Sequence, residues 1–298
     1  MKKVEVLNDA YNRLKECNIL GYEMDSQRLL AHALNIKFDQ LVRVSEISDK
    51  EYKEFVKLIK SRCKHVPMDC LLGFTEFYNI TIPFNKSILT PRQETEFLVD
   101  RVVLDIKNLL KQTDLKQPLK PISVLDLCTG SGCVGIAIAN ATGVNVTMSD
   151  ISTGAIKVAK SNNALNNKIR EQNYLPAINP NFVESDMFKN IRWKFDIIVC
   201  NPPYICSSDL GKLEIEVRDF DPALALDGGK DGLDFYKIIA KEAYKYLNDF
   251  GTLYLEIGIN QSKNVVKLLD KHFDNIKVIK DLAGIDRYII AKKREHNA

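Results

Sequence analysis

The sequence has 298 residues, enough for one large domain or two of ordinary size. Hydrophobic residues make up 45% and charged residues 27%, which is typical of a globular protein with a substantial core. The formal net charge is only +3, and basic and acidic residues are mixed along the chain. Composition therefore argues against a dedicated nucleic-acid-binding surface.

The cysteines and the N-terminus indicate the compartment. None of the seven cysteines forms a C-x-x-C pair, and Cys63, His65 and Cys70 make only a loose cluster. We therefore expect reduced thiols and no metal. The first residues lack the apolar core of a secretion signal, and no apolar run is long enough to span a bilayer. These features predict a cytoplasmic protein with no membrane partner.

The N-terminal part, residues 1–74, shows helical spacing of apolar residues and no strand pattern, which predicts a small helical bundle. Asp25-Ser26 and Ser48-Asp49 are candidate N-caps. The segment 75–90 is predicted to be a hairpin linker with its turn at 85–87. Thr90-Pro91 then predicts the start of a helix, with a cap residue followed by proline.

From residue 91 to residue 298 the sequence predicts one domain in which strands alternate with helices. Such alternation predicts a mostly parallel, doubly wound sheet with helices on both faces. The Asn-rich stretch 162–173 is predicted to be a mobile insertion. The strands are expected at 123–127, 145–148, 182–183, 195–200, 251–257, near 276, and at 287–291.

The loop after the first of these strands carries a G-x-G-x-x-G pattern at Gly130, Gly132 and Gly135. Asp150 follows about 20 residues after the first glycine, where a carboxylate suits a ribose diol. The pattern alone fits NAD or another adenosine-containing cofactor. A carboxylate at Asp126 would repel a pyrophosphate but attract an ammonium group, which favours S-adenosylmethionine.

Two further loops leave the same predicted edge of the sheet. Asp186 could accept a hydrogen bond from the amine of adenine, with Met187 against the ring, although a helix cap explains Asp186 equally well. Asn201-Pro-Pro-Tyr204 forms a stiff corner, because proline fixes its own backbone and restricts the preceding residue. The Asn201 side-chain oxygen and the Pro202 carbonyl are acceptors that match the two hydrogens of an –NH2 group, and Tyr204 offers a flat face.

These residues together resemble class I S-adenosylmethionine methyltransferases that modify planar amides and amines. Four further stretches resemble the HemK/PrmC family of peptide chain release factor glutamine N5-methyltransferases: Leu72-Gly-Phe-Thr-Glu-Phe77, Leu89-Thr-Pro-Arg-Gln-Glu-Thr-Glu96, the segment 222–236, and Asp281-Leu-Ala-Gly-Ile-Asp-Arg287. The resemblance implies a Rossmann-like α/β sheet with an antiparallel final strand. It also implies that the helical N-terminal domain binds the partner.

By this resemblance, the reaction methylates the glutamine of the Gly-Gly-Gln loop in class I release factors. The residues expected to bind S-adenosylmethionine are Asp126, Cys128, Thr129, Gly130, Ser131, Gly132, Asp150, Asp186, Met187 and Asn201. Those expected to bind the glutamine are Arg92, Asn201, Pro202, Pro203 and Tyr204, with Asn201, Pro202 and Tyr204 catalytic.

The sequence departs from the family pattern at three positions. Cys128 replaces a frequent glycine, Gln93 a usual proline, and Met187 a frequent aromatic residue. Two roles have alternatives: Arg92 either contacts substrate or pairs with Glu94 or Glu96, and the segment 227–232 either covers the active site or is a flexible turn.

Three other functions compete with this interpretation. A nucleic-acid base methyltransferase would need a basic, aromatic groove for an extruded base, and the N-terminal part is close to charge-balanced. A dinucleotide-dependent oxidoreductase would leave Asn201-Pro-Pro-Tyr204 unexplained. A non-catalytic adaptor would not need an intact glycine loop together with Asn201.

Overall fold

A computed structural model describes residues 1–112 and 121–295. The chain forms two compact units, one made of Met1–Thr75 and Glu214–Phe220, the other of Glu76–Leu213 and Asp221–Ala298. In chain order the α-helices are Lys3–Glu16 (α1), Tyr22–Ala33 (α2), Asp49–Arg62 (α3), Met68–Leu72 (α4), Gln93–Gln112 (α5), Cys133–Thr142 (α6), Thr153–Gln172 (α7), Ile215–Arg218 (α8), Asp234–Glu242 (α9) and Ser262–Leu269 (α10).

The strands are Phe74–Phe77 (β1), Ile80–Pro83 (β2), Ser123–Leu127 (β3), Asn145–Asp150 (β4), Asn181–Glu184 (β5), Phe195–Cys200 (β6), Leu247–Glu256 (β7), Phe273–Lys280 (β8) and Asp286–Lys293 (β9). Short 3-10 helices lie at Phe38–Arg43, Ser207–Lys212, Ala223–Ala225 and Ala243–Lys245.

The first unit is helical, as the sequence predicts. Apolar side chains of α1, α2 and α3 form its core, with Leu14, Leu29 and Phe55 almost fully buried. Ser48 caps α3 by accepting a hydrogen bond from the Glu51 amide, so this predicted cap is confirmed. The other predicted cap is wrong, because Asp25 and Ser26 lie inside α2.

The second unit is built on a seven-stranded sheet with the order β5-β4-β3-β6-β7-β9-β8. The ladders from β5 to β7 are parallel, and β9 runs antiparallel to both of its neighbours. The predicted class of fold, including the antiparallel final strand, is confirmed. Alternate residues of β3 pack on opposite faces, Val124 in the core with α5 and α6, and Leu125 in the core with α9 and α10.

This topology fixes where a ligand can bind. The chain proceeds outward from β3 through β4 to β5 and then returns to place β6 on the other side of β3. The loops after β3 and β6 therefore diverge, which leaves a crevice beyond the carboxyl ends of the strands. The predicted glycine loop follows β3 and the Asn201 corner follows β6, so both lie at this crevice.

Three local predictions are wrong. The hairpin turn lies at Tyr78 and Asn79, both in left-handed conformation with φ of 43° and 64°, and not at 85–87. Helix α5 begins at Gln93, two residues after Pro91. The Asn-rich stretch is no mobile insertion, because α7 continues through it to Gln172 and buries Asn162, Asn163 and Asn166.

Candidate active site

One pocket of the second unit lies at the crevice beyond the strand ends. It is lined by the loops after β3, β4, β5 and β6, by residues 87–92 and 95, by residues 222, 224 and 225, and by Phe235. Most of the predicted site residues line it: Arg92, Asp126, Cys128, Thr129, Gly130, Ser131, Asp150, Asp186, Met187, Asn201 and Pro203. Gly132, Pro202 and Tyr204 do not line this pocket.

The glycine loop is shaped by close packing of α6 against α7. Gly132 has φ of 81° and caps the N-terminus of α6. A β-carbon there would lie 2.9 Å from the Ala159 β-carbon, so the absence of a side chain lets the two helices approach. Asn162 of α7 donates a hydrogen bond to the Ser131 carbonyl at 2.8 Å. Helix α7 therefore stabilises the loop backbone in the conformation that lines the pocket.

Asp126 is buried, with 2% of its surface exposed, and stabilises the loop from within. Its Oδ2 accepts hydrogen bonds from the Gly135 amide at 2.9 Å and from the Thr129 hydroxyl. Burial raises the pKa of Asp126 to about 7. Among the residues that the structure describes, no cation acts on the Asp126 carboxylate, so a cationic ligand group in the pocket would stabilise its ionised form.

Asp150 presents an oriented carboxylate at the end of β4. Oδ2 accepts a hydrogen bond from the Gly130 amide and Oδ1 from the Ser152 amide, each at 2.9 Å. A carboxylate oxygen has two lone pairs, so each oxygen can still accept one further hydrogen bond. Such a fixed pair of acceptors suits the two hydroxyl groups of a ribose.

The Asn201 corner is held by contacts on both sides. The Asn201 Nδ2 donates to the Thr95 hydroxyl at 3.2 Å, and the Tyr204 carbonyl accepts from the Gln261 side chain at 2.9 Å. A β-carbon on Gly228 would lie 2.8 Å from the Tyr204 Cα. This glycine therefore lets the segment 227–232 pack directly against the corner.

Two relatives match the chain over almost its full length. The release factor glutamine methyltransferase of Thermodesulfovibrio yellowstonii is 38% identical and covers 98% of this chain and 99% of its own. The Clostridium acetobutylicum protein of the same name is 35% identical over 98% of each chain. The chain belongs to the release factor glutamine methyltransferase family. It also matches the PrmC N-terminal domain family over residues 5–73 and the methyltransferase small domain family over residues 104–214.

Some members of the family are longer. The bifunctional methyltransferase of Rickettsia typhi is 34% identical over 96% of this chain, which spans 56% of that protein. Among solved structures, the hMettl16 catalytic domain in complex with an RNA hairpin covers 86% of this chain with a TM-score of 0.53. At 14% identity this likeness shows the fold alone. The predicted class I methyltransferase fold and family are thus confirmed.

Two departures from the family pattern meet in the pocket. Cys128 and Met187 are both in left-handed conformation, with φ of 61° and 49°, and their sulfur atoms lie 3.8 Å apart. A glycine at the Cys128 position, which the resemblance to the family predicts, would adopt this backbone without strain. Here the two sulfur-containing side chains fill the same side of the pocket, next to the half-buried Asp186, which pairs with Lys189.

Arg92 pairs with neither Glu94 nor Glu96, so that predicted alternative is wrong. Its guanidinium forms an ion pair with Asp221, which also accepts a hydrogen bond from the Thr90 amide at 3.3 Å. About a third of the Arg92 side chain remains exposed, and it lines the pocket. A substrate contact by Arg92 is compatible with this arrangement and remains a prediction.

The segment 227–232 is not a flexible turn. Asp227 accepts hydrogen bonds from the Ser207 hydroxyl at 2.7 Å and the Gly229 amide at 2.9 Å, and the Gly228 amide donates to the Ile205 carbonyl. Tyr204 is not among the residues that line the pocket, and burial raises its pKa to about 12. The predicted planar contact of Tyr204 with substrate remains a prediction.

The sequence reasoning missed three polar residues that support the site: Thr95, Asp221 and Glu256. Thr95 lies within one of the stretches that resemble the family, and Asp221 lies next to another, so the resemblance could have identified both. Glu256 ends an apolar strand and has no such signal. Within residues 1–112 and 121–295, no group of three or more potential metal ligands lies together. No helix among those residues is both long and apolar enough to cross a membrane.

Proposed function

We propose that the protein transfers a methyl group from S-adenosylmethionine to the side-chain amide nitrogen of the glutamine in the Gly-Gly-Gln motif of class I release factors. The observation that carries the proposal is the pocket itself. It joins the Asn201 corner to a glycine loop with two fixed carboxylates, Asp126 and Asp150. An acceptor for an amide thus lies in the same cavity as groups suited to a nucleoside carrying an amino acid.

The residues present fit the cofactor. Asp150 would accept hydrogen bonds from the ribose, the buried Asp126 would meet the ammonium group, and Met187 would lie against adenine. When bound, S-adenosylmethionine supplies the methyl group: the amide nitrogen forms the new N–C bond, the S–C bond breaks with its electrons left on sulfur, and the nitrogen proton passes to solvent.

The side chain of Asn201 and the carbonyl of Pro202 would hold the two hydrogens of the substrate –NH2 group. These contacts draw on the N–H bonds, so they favour electron density on nitrogen and fix the direction of attack. Positioning of this kind can lower a barrier by several kcal/mol. No general base is needed, because a methylated amide nitrogen that carries positive charge loses its proton readily.

Roles for the parts of the chain follow from the same proposal. Residues 1–74 would bind the release factor, since they match a PrmC N-terminal domain, residues 75–90 would be the linker, and residues 91–298 the catalytic domain. Translation termination, which the methylation would modulate, makes the cytoplasm the proposed compartment. No metal enters the proposed chemistry.

The test is methyl transfer from labelled S-adenosylmethionine to a purified class I release factor, beside a Gln→Ala variant of its Gly-Gly-Gln loop. We expect label on the first protein and none on the second. Asn201→Ala should lose most of the turnover and keep its affinity for the cofactor. Label on both proteins would place the acceptor elsewhere, and label only on ribosomal RNA or DNA would replace this proposal with base methylation.

A further inference from the structure

A buried chain of hydrogen bonds leads from the pocket into the interior of the second unit. The Asn201 Nδ2 donates to the Thr95 Oγ1 at 3.2 Å, and the Thr95 hydroxyl donates to the Glu256 Oε2 at 2.7 Å. Thr95 and Glu256 are 3% and 2% exposed. Asn201 and Thr95 line the pocket, whereas Glu256 lies behind them at the end of β7.

The hydrogen count of this chain sets the orientation of the Asn201 amide. A threonine hydroxyl has a single hydrogen, and an ionised carboxylate can only accept. Thr95 therefore gives its hydrogen to Glu256 and offers Asn201 only a lone pair. The –NH2 end of the Asn201 amide must face Thr95, which leaves the Asn201 oxygen as the end available to a ligand.

We infer that Thr95 and Glu256 are positioning residues that hold the Asn201 side-chain oxygen toward the amide nitrogen of the substrate. This inference rests on the proposed function. With the amide reversed, Asn201 would present its own –NH2 group to the substrate –NH2 group, and the two donors would repel each other. A reversed amide requires Thr95 to donate to Asn201, and Glu256 to donate to Thr95 as a protonated acid.

The orientation therefore depends on the protonation of Glu256. Burial raises the pKa of Glu256 to about 7, while the Thr95 hydrogen bond, Arg287 and a hydrogen bond from Asn201 lower it and Glu94 raises it. The other titratable groups facing it are Cys133 and the tyrosines Tyr204, Tyr236 and Tyr288. Burial raises the pKa of each of these, so they stay neutral between pH 6 and 8.

The experiment compares kcat at saturating cofactor for the wild type, Thr95→Val and Thr95→Ser at pH 6 and pH 8. Wild-type kcat should fall by up to about tenfold from pH 8 to pH 6, because about a tenth of a group with pKa near 7 is ionised at pH 6. Saturating cofactor keeps Asp126, whose pKa burial also raises to about 7, ionised beside the ammonium group of the ligand. Thr95→Val has the shape of threonine without the hydroxyl. Its kcat at pH 8 should be about tenfold lower than that of the wild type, with KM for the release factor little changed. It should also lose the pH step, that is, the difference in kcat between pH 8 and pH 6.

Thr95→Ser restores the hydroxyl and should restore both kcat and the pH step, which a purely structural role of Thr95 would not predict. Thr142→Val is the matched control, since the Thr142 hydroxyl donates to the helical Ile138 carbonyl at 2.6 Å, accepts from the Val144 amide at 3.4 Å and does not line the pocket. It should leave kcat and its pH dependence unchanged. Equal kcat and an equal pH step in wild type and Thr95→Val would overturn the inference.

A second readout does not depend on turnover. In the cofactor-bound wild type, the nuclear Overhauser contact between the Asn201 side-chain N–H and the Thr95 methyl group should be present at pH 8 and weaken at pH 5.5. A contact that does not change with pH would overturn the inference. Failure of the wild type to methylate a release factor would instead overturn the proposed function, and this measurement would still decide the orientation.

Discussion

Cys128 has a backbone conformation that favours glycine, with φ of 61°. A left-handed conformation costs an L-residue about 1–2 kcal/mol, while glycine costs about 0.5–1 kcal/mol in the entropy lost on folding. We expect the relief of the backbone in Cys128→Gly to raise the free energy of unfolding by about 0.5 kcal/mol. The lost contact with Met187 should offset part of this gain. Urea unfolding followed by circular dichroism measures the change.

Cys206 provides the control for this substitution. It is also a partly buried cysteine, but its φ is −61°, where glycine brings no relief. Cys206→Gly should lower the free energy of unfolding by about 0.5–1 kcal/mol. If the two variants lose the same stability, the left-handed backbone at Cys128 does not strain the protein.

At the residue level, the sequence predicted groups whose chemistry acts directly on a ligand. Asp126, Asp150 and Asn201 were found because a carboxylate or an amide at the end of a predicted strand has an evident use. Thr95 and Glu256 were not found, since their role comes from a contact between residues 161 positions apart. No local pattern encodes such a contact.

The first turn of α6 contains a glycine that the close packing of the sheet requires. A β-carbon on Gly135 would lie 2.7 Å from the Met148 Cε and 2.9 Å from the Asp126 Oδ2. Alanine favours a helix by about 1 kcal/mol, but overpacking costs about 1–3 kcal/mol. Gly135→Ala should therefore lower the thermal midpoint and weaken the binding of S-adenosylmethionine, because it displaces Asp126.

Gly154→Ala in the first turn of α7 is the matched control for this element. Its nearest contact would be the Ser152 Oγ at 3.4 Å, an ordinary van der Waals distance. This variant should unfold at the same temperature as the wild type or slightly above it, with unchanged cofactor affinity by calorimetry. Equal loss of affinity in both variants would contradict the proposed effect of Gly135 on Asp126.

The order and type of most elements followed from apolar periodicity, but polar residues misled the prediction of α7. Asn162, Asn163 and Asn166 would normally indicate a loop, yet each is buried and hydrogen-bonded. Asn166 accepts from the Thr81 amide at 3.1 Å and donates to the Thr81 carbonyl at 2.9 Å. An amide side chain that satisfies a strand backbone is invisible in a pattern that counts apolar residues.

At the scale of the whole molecule, the helical unit contains two separate stretches of the chain. Glu214–Phe220 follows the Asn201 corner in sequence but belongs to the unit of Met1–Thr75. Arg62, of which 5% is exposed, donates to Asp25 at 2.8 Å, to the Glu216 carboxylate at 2.7 Å and to the Val66 carbonyl at 3.1 Å. Arg62 and Glu216 lie 154 positions apart, so sequence reasoning had no sign of this link.

Arg62→Met tests whether this buried cation holds the two stretches together. The variant keeps an apolar chain but removes the ion-pair partner of the partly buried Asp25, and burial already raises the pKa of that carboxyl. Breaking a buried ion pair by removing one partner costs about 3–5 kcal/mol. We expect the free energy of unfolding of the helical unit to fall by about this amount, and the amides of α2, α3 and Glu214–Phe220 to exchange faster.

Arg13→Met is the control, because it removes only the exposed pair with Asp9. It should lower the free energy of unfolding by less than about 0.5 kcal/mol. If the exchange of Glu214–Phe220 is the same in both variants, Arg62 does not hold this segment.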